Sequence, residues 1–311
     1  MDYQHLVHPE LLPTLEAFPG FDLSVERLEE IRAAFNNRPV EDARDVAVSS
    51  KFVERADGSR IRVLHYAPSD ARGDLPALLH IHGGGYVMGV PEMVDQQSKA
   101  FVRSLGCAVF SVDYRVAPET AFPGAVEDCH AALVWLFKEA ERLGVDRGRV
   151  AIGGESAGGG LAAALGLLNR DRTAAPLRMQ YLTYPMLDYR TGLNGAYIYD
   201  AVATWTAENN RFGWAAMLGE GSAAKEVSPY ASPSKAKDLS DLPPTFIAVG
   251  ALDLFAAECA DYAVRLLQAG VPTEFHIYPG AYHGFNQVAQ AETTVRFNAD
   301  LLGALRQAFL L

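Results

Sequence analysis

Polar and apolar positions change period several times along the 311 residues, and each change marks an element. Leu11, Leu12, Leu15 and Phe18 recur at helical spacing until Pro19-Gly20. Leu28, Ile31, Ala34 and Phe35 form a second stripe, with Ser24 as its expected N-cap and Arg27 where a capping-box acid would stand. From Val46 the pattern alternates. Val46, Val48, Phe52 and Val53, then Ile61, Val63 and Leu64, predict two strands around the hairpin turn Asp57-Gly58. Short apolar runs follow at Ala77–Ile81, Ala108–Val112, Val150–Ile152, Gln180–Tyr184, Thr245–Val249 and Glu274–Tyr278. Helical patterns fall near Glu92–Leu105, Ala125–Leu143, Ala157–Arg170, Leu254–Ala269 and Glu292–Phe309. Repeated strand–helix units with short buried strands predict an α/β fold, a mostly parallel eight-stranded sheet with helices on both faces.

One stretch departs from that rhythm. Between about Asp188 and Leu242 no strand pattern appears, and Tyr189, Tyr197, Tyr199, Trp205, Phe212 and Trp214 crowd together. A connection of this length is usually functional, often a lid. Most of its aromatic residues are expected to form its own core and some to line a pocket. The two N-terminal helices either pack on the main domain or help to cover a site.

Composition narrows the function. A net charge of −11 and a pI near 5.2 exclude a basic nucleic-acid footprint. Cys107, Cys129 and Cys259 are odd in number and widely spaced, so small buried thiols are expected rather than a disulfide framework or a zinc site. There is no H-E-x-x-H and no P-loop, so neither a metal nor a cofactor is predicted. No apolar run approaches a membrane span. Met1-Asp2-Tyr3-Gln4-His5 lacks the basic and apolar regions of a signal peptide, so a cytoplasmic chain is expected.

The chemistry is concentrated in Gly154-Glu155-Ser156-Ala157-Gly158. This G-x-S-x-G follows the run Val150–Ile152 and precedes Gly159-Gly160-Leu161-Ala162-Ala163, helix material. Strand, sharp turn and helix make the context of a nucleophile elbow, with small residues required around Ser156. Taken alone, the pentapeptide also reads as a flexible turn. Gly158-x-Gly160-x-x-Ala163 formally fits a dinucleotide fingerprint, but its glycines would lie inside the helix rather than in the turn before it.

A serine hydroxyl needs a base, the base an orienting acid, and the developing oxyanion preorganised donors. His82-Gly83-Gly84-Gly85 follows directly on Ala77–Ile81, where three glycines let backbone N–H groups face a ligand. The N–H of Ala157 is the second expected donor. Asp253 follows Thr245–Val249, and His283 follows Glu274–Tyr278. Alone, Asp253 fits a helix N-cap and His283 a hydrogen-bonded structural histidine. Together, in the order Ser156, Asp253, His283, they stand where an α/β-hydrolase carries its triad, at the carboxyl edge of the sheet. His80 and His276 fall in strands, His130 in a helix, and His5, His8 and His65 outside the strand–helix loops.

HGGG, then Asp113-Tyr114-Arg115-Val116-Ala117-Pro118-Glu119, then GESAGG, the Asp and the His, resemble the bacterial hormone-sensitive-lipase-like esterases (family IV). Tyr230-Ala231-Ser232-Pro233 with Leu242-Pro243-Pro244 is similar to that family's segment leading to the acid. The resemblance covers about residue 40 to the C-terminus. It implies an α/β-hydrolase core at 46–187 and 241–311, with cap segments at 1–45 and 188–240. It implies Ser156 as nucleophile, His283 as base then acid, and Asp253 as its partner. Gly83, Gly84, Gly85 and Ala157 form the implied oxyanion hole, with His82, Gly154, Glu155 and Gly158 in support. Arg115 and Glu119 take structural roles, and Pro118 and Pro123 are candidates for cis peptides. The implied activity is hydrolysis of short- to medium-chain acyl esters, small molecules, without cofactor. A homodimer paired through the last strand is also implied. Two departures stand out: Leu254-Phe255 after the acid where the family usually has Pro-Leu, expected to bear on how Asp253 is aimed, and Glu155 where Asp is common, expected to be silent. An amidase or peptidase on the same triad and a non-catalytic binding protein of the same fold are the competing readings.

Overall fold

One sheet of eight strands runs in the order β1-β2-β4-β3-β5-β6-β7-β8 in the computed structural model, which describes residues 3–55, 57–193, 197, 199–219 and 226–310. Parts of the two expected cap segments, 1–2, 194–196, 198 and 220–225, lie outside the described residues. The strands are β1 (Val46–Glu54), β2 (Arg60–Pro68), β3 (Leu75–Ile81), β4 (Ala108–Val112), β5 (Val145–Glu155), β6 (Met179–Thr183), β7 (Thr245–Gly250) and β8 (Thr273–Tyr278). β1 and β2 pair as an antiparallel hairpin around Gly58, whose φ of +83° suits the turn. β2 joins β4 antiparallel, and every later pairing is parallel.

The α-helices are α1 (Leu12–Ala17), α2 (Leu28–Asn36), α3 (Asp95–Leu105), α4 (Gly124–Lys138), α5 (Ala140–Leu143), α6 (Ala157–Arg172), α7 (Ala207–Leu218), α8 (Ala256–Gln268) and α9 (Glu292–Leu310). α3 packs with α9, and α4 with α6. The strands between these layers are buried on both sides: β4, β6 and β7 have no exposed residue. That is why they read as continuous apolar runs.

Three expectations shift. α2 begins at Leu28 with Arg27 as its N-cap, not at Ser24. Ser24 instead closes the preceding turn, its carbonyl and hydroxyl each accepting from the Arg27 N–H at 3.3 Å. The predicted helix over 125–143 is broken at Glu139 into α4 and α5. β5 starts at Val145 rather than Val150, because Val145 pairs with Leu75 ahead of a register shift.

One buried charge fastens the hairpin to the helical layer. The Asp128 carboxylate on α4 is 1% exposed and accepts from Arg55 (2.7 and 2.9 Å), from the Arg115 side chain (2.8 and 2.9 Å) and from the Arg115 N–H (3.0 Å). Burial alone would raise its pKa, but the bonds from Arg55 and Arg115 carry it below the usual carboxylate range. Glu119 pairs with Arg32 of α2 at 2.7 Å. Arg115 and Glu119 thus brace the Asp113–Glu119 stretch. Ala117–Pro118 and Phe122–Pro123 are both cis.

Strand order reverses between β3 and β5, the crevice where open α/β sheets take ligands. Ile81 lies opposite Gly154, Glu155 opposite Thr183, and Gly250 opposite Tyr278. The residues just past these positions therefore emerge along one edge.

Candidate active site

Ser156 joins β5 to α6 with φ +57° and ψ −121°. A non-glycine residue held at positive φ stores about 1–3 kcal/mol of strain, and the surroundings must hold it there. The first turn of α6 lies hard against the end of β3. A Cβ on Gly158 would sit 2.0 Å from the Ile81 carbonyl oxygen and 2.4 Å from that of His82. One on Gly154 would sit 2.2 Å from the same Ile81 oxygen. These contacts are the physical reason for small residues in the motif.

The structure brings the three distant residues together. His283 Nε2 is 3.0 Å from Ser156 Oγ, and His283 Nδ1 is 2.8 Å from Asp253 Oδ2. An ionised carboxylate only accepts, so Nδ1 carries the proton and Nε2 faces the hydroxyl as acceptor. Asp253 is fully buried, and its Oδ1 accepts from the Phe255 N–H at 2.9 Å. Phe255 also sets its ring edge against His283, 5.2 Å between centroids. The main-chain N–H of residue 255, which any residue but proline supplies, aims the carboxylate, and the Leu254-Phe255 departure adds the aromatic wall against the imidazole. Tyr184 and Trp205 complete that wall at 4.5 and 6.5 Å.

The His82–Gly85 turn abuts the elbow: a Cβ on Gly83 would meet the Glu155 carbonyl oxygen at 3.0 Å and Ser156 Cβ at 3.4 Å. Val87 and Met88 N–H groups donate to the Gly84 carbonyl at 3.1 and 3.0 Å, which fixes the loop. Among the described residues the Gly84 and Gly85 N–H groups donate to no backbone acceptor. The Ala157 N–H opens α6 and has no intrahelical partner. His82 is buried, with Nδ1 2.8 Å from the Gly83 carbonyl oxygen and its ring stacked on Tyr114 at 4.3 Å. Burial pushes its pKa down to about 4, so it is neutral.

Glu155 is not an idle variant of Asp. Its carboxylate lies 2.9 Å from His80 Nε2 and accepts from Gln97 at 2.8 Å and from the Tyr181 hydroxyl at 3.3 Å, all below the nucleophile.

A cleft of about 290 Å³ opens over Ser156 and His283. Phe18, Phe21 and Phe35 line it from the N-terminal segment, and Trp205 from the β6–β7 connection. Tyr184, Gln97 and Asn286 also line it and were not singled out in the sequence. Tyr184 sits at the end of β6, so its place at the carboxyl edge was the available signal. Gln97 and Asn286 carry none. Among the described residues no cluster of His, Cys, Asp and Glu is arranged to hold a metal.

A family model described as alpha/beta hydrolase fold matches residues 78–287. Esterase LipI of Mycobacterium tuberculosis is 32% identical over 295 residues, covering 91% of this chain and 89% of its own. Carboxylesterase NlhH of the same species is 32% identical over 317 residues, 96% of each chain. Among solved structures, a bacterial heroin esterase superposes with a TM-score of 0.91 at 36% identity over 99% of both chains. The HGGG turn, the elbow and the sheet order occur here in one fold whose relatives carry esterase names, and the chain belongs to the α/β-hydrolase family, in its hormone-sensitive-lipase-like esterase branch.

Proposed function

We propose that this chain hydrolyses carboxylic esters through an acyl-enzyme on Ser156. The observation that carries the reading is the hydrogen-bonded line from Asp253 through His283 to Ser156, 2.8 and 3.0 Å, at a cleft. Ser156 Oγ attacks the ester carbonyl while His283 Nε2 takes its proton. The N–H groups of Gly84, Gly85 and Ala157, with Gly83 shaping the turn, stabilise the tetrahedral oxyanion. Collapse breaks the C–O bond, and His283 gives the proton to the departing alcohol. Water, deprotonated by His283, then releases the acid and restores Ser156. Asp253 keeps the imidazole in the working tautomer.

Residues 1–45 and 188–240 act as a cap on a core of 46–187 and 241–311. Stitching between them supports this: the Leu23 N–H donates to Asn209 Oδ1, and the Asn209 amide to the Phe21 carbonyl, both at 2.8 Å. A cleft of about 290 Å³ with aromatic walls suits short- to medium-chain acyl groups in small esters. Three free, buried cysteines favour a cytoplasmic setting, and among the described residues no helix is long and apolar enough to cross a membrane. β8 ends the sheet with Ile277 45% exposed, an edge that suits a second copy; light scattering tests the pairing.

Ser156→Ala is expected to fold normally and to lose p-nitrophenyl ester hydrolysis by roughly 10⁴-fold or more. Wild type incubated with an organophosphate is expected to gain one adduct at Ser156. Wild-type turnover in the variant, or labelling elsewhere, removes the proposal. Matched anilides, expected to be cleaved far more slowly than esters, separate esterase from amidase.

A further inference from the structure

Two hydroxyls of the β6–β7 connection donate into the main chain of the acid and of the base. Tyr197 Oη lies 2.7 Å from the Asp253 carbonyl oxygen. Thr204 Oγ1 donates to the His283 carbonyl oxygen. Both bonds come from outside the two loops they secure.

Those loops need securing. β7 ends at Gly250 and β8 at Tyr278, so Asp253 and His283 stand beyond the last ladder pair. The turn bond from the Asp253 N–H to the Gly250 carbonyl, 3.1 Å, holds the acid locally. The base is followed at once by Gly284 at φ +78°. The Asp253 carbonyl also accepts from the Ala256 N–H at 3.1 Å, so Tyr197 is its second donor, whereas among the described residues Thr204 alone donates to the His283 carbonyl. Misplacement of a catalytic group by about 1 Å costs on the order of 10²-fold in rate.

The two donors are themselves braced. Tyr197 packs edge-on against Tyr199 at 5.6 Å, and Tyr199 against Tyr3 of the N-terminal segment at 5.3 Å. Thr204 precedes Trp205, whose indole N–H reaches Asn210 at 3.3 Å, and the Asn210 amide donates to the Thr191 carbonyl at 2.7 Å.

We infer that Tyr197 and Thr204 are positioning residues for the ester hydrolysis: they pin the main chains of Asp253 and His283 and so hold the carboxylate–imidazole–hydroxyl line in register. The inference rests on the triad assigned above. Thr204 and its neighbour Trp205 also line the cleft, so one short stretch both walls the substrate space and aligns the base. It also separates rate from stability, since neither hydroxyl belongs to the sheet.

Three variants test it. Thr204→Val keeps the shape and deletes the donor, Thr204→Ser keeps the donor, and Tyr197→Phe deletes the other hydroxyl. Thr204→Val is expected to lower kcat roughly 10-fold, and Tyr197→Phe, which leaves the Asp253 carbonyl its bond from the Ala256 N–H, by roughly threefold. KM should stay within about threefold of wild type, and Thr204→Ser should recover most of the kcat. The low-field imidazole N–H resonance of the His283–Asp253 bond, recorded on resting protein, should broaden in Thr204→Val and Tyr197→Phe and persist in Thr204→Ser. Unchanged kcat and resonance in both donor-deleting variants overturn the inference. So does an equal loss in Thr204→Ser, or a kcat loss that merely follows a lowered urea midpoint. If wild type hydrolyses no ester while Thr204→Val still disturbs the resonance, the function assigned to the triad fails and the pinning stands.

Discussion

On the nucleophile side of this sheet edge, backbone touches backbone. Gly154 and Gly158 lie against the end of β3, and the Ser156 N–H and carbonyl are tied to the Thr183 carbonyl and the Met186 N–H at 2.9 and 3.0 Å. On the acid–base side the two loops also meet by backbone, the Leu252 N–H donating to the Ala281 carbonyl at 2.9 Å, but the His283 carbonyl itself is held by a side chain from a separate segment. The first arrangement is inseparable from the sheet, so damage to it is paid in stability. The second is removable, so damage to it is felt in rate. A hydrolase with this division can refine its substrate cleft without risking its nucleophile.

Two glycine substitutions set the sides against each other. In Gly158→Ala the atoms nearest the new methyl are all backbone, the Ile81 and His82 carbonyl oxygens at 2.0 and 2.4 Å and the His82 carbonyl carbon at 2.7 Å, and they cannot move without shifting the end of β3. A loss of about 3 kcal/mol or more is expected, at the upper end of overpacking effects, read as a lowered urea midpoint or as insoluble protein. In Gly284→Ala the nearest neighbour is the flexible end of Gln287 at 3.2 Å, leaving only the cost of φ +78°. About 1–2 kcal/mol is expected there, with activity falling more than stability. Equal losses at both positions would erase the distinction.

Glu155 is the next largest expectation on the nucleophile side. Glu155→Ala strands His80, Gln97 and Tyr181 around a buried hole, and an orphaned buried group costs about 1–3 kcal/mol. A net loss of about 2–3 kcal/mol is expected by urea unfolding, less than for Gly158→Ala. Glu155→Gln keeps the volume and one acceptor and should lose about half as much. If Glu155→Ala unfolds at the wild-type urea concentration, the network contributes no stability.

The same division explains what was readable in the sequence. Every strand was legible, the buried parallel ones as apolar runs and β1 and β2 by their alternation around Asp57-Gly58, and the elbow was legible because close packing admits only glycine at Gly154 and Gly158. Asp253 and His283 were legible by order and position after their strands. Tyr197 and Thr204 were not: each contributes a single hydroxyl to a main-chain oxygen many residues away, and no local pattern encodes that pairing. The Glu155 network was missed for the same reason, since its partners come from three separate elements. Ser24 misled because a serine before an apolar stripe closes a turn as readily as it caps a helix.

The smallest expected effect concerns acid, and it separates the sheet from the triad. His65 on β2 stacks on Phe110 at 4.5 Å with Nε2 buried and unpartnered, and burial, with a lesser contribution from Lys51, pushes its pKa down to about 4. Unfolded, it takes a proton near pH 6.5, so the unfolded chain binds more protons throughout that window. Its neutral form therefore costs the fold nothing above pH 6.5, and stability is lost as pH falls from there toward 4. Between pH 7 and 5.5 the loss from this one side chain is about 1.2 kcal/mol. His65→Phe keeps the stacking and removes the proton site, so the fall in urea midpoint between pH 7 and 5.5 should shrink by that amount. The ratio of kcat/KM at pH 5.5 to that at pH 7 should stay at its wild-type value, because Ser156, Asp253 and His283 are bonded to one another and not to His65. If His65→Phe changes that ratio as well, the β2 side of the sheet and the acid–base loops are coupled, and stability and rate are not divided between the two sides as their contacts indicate.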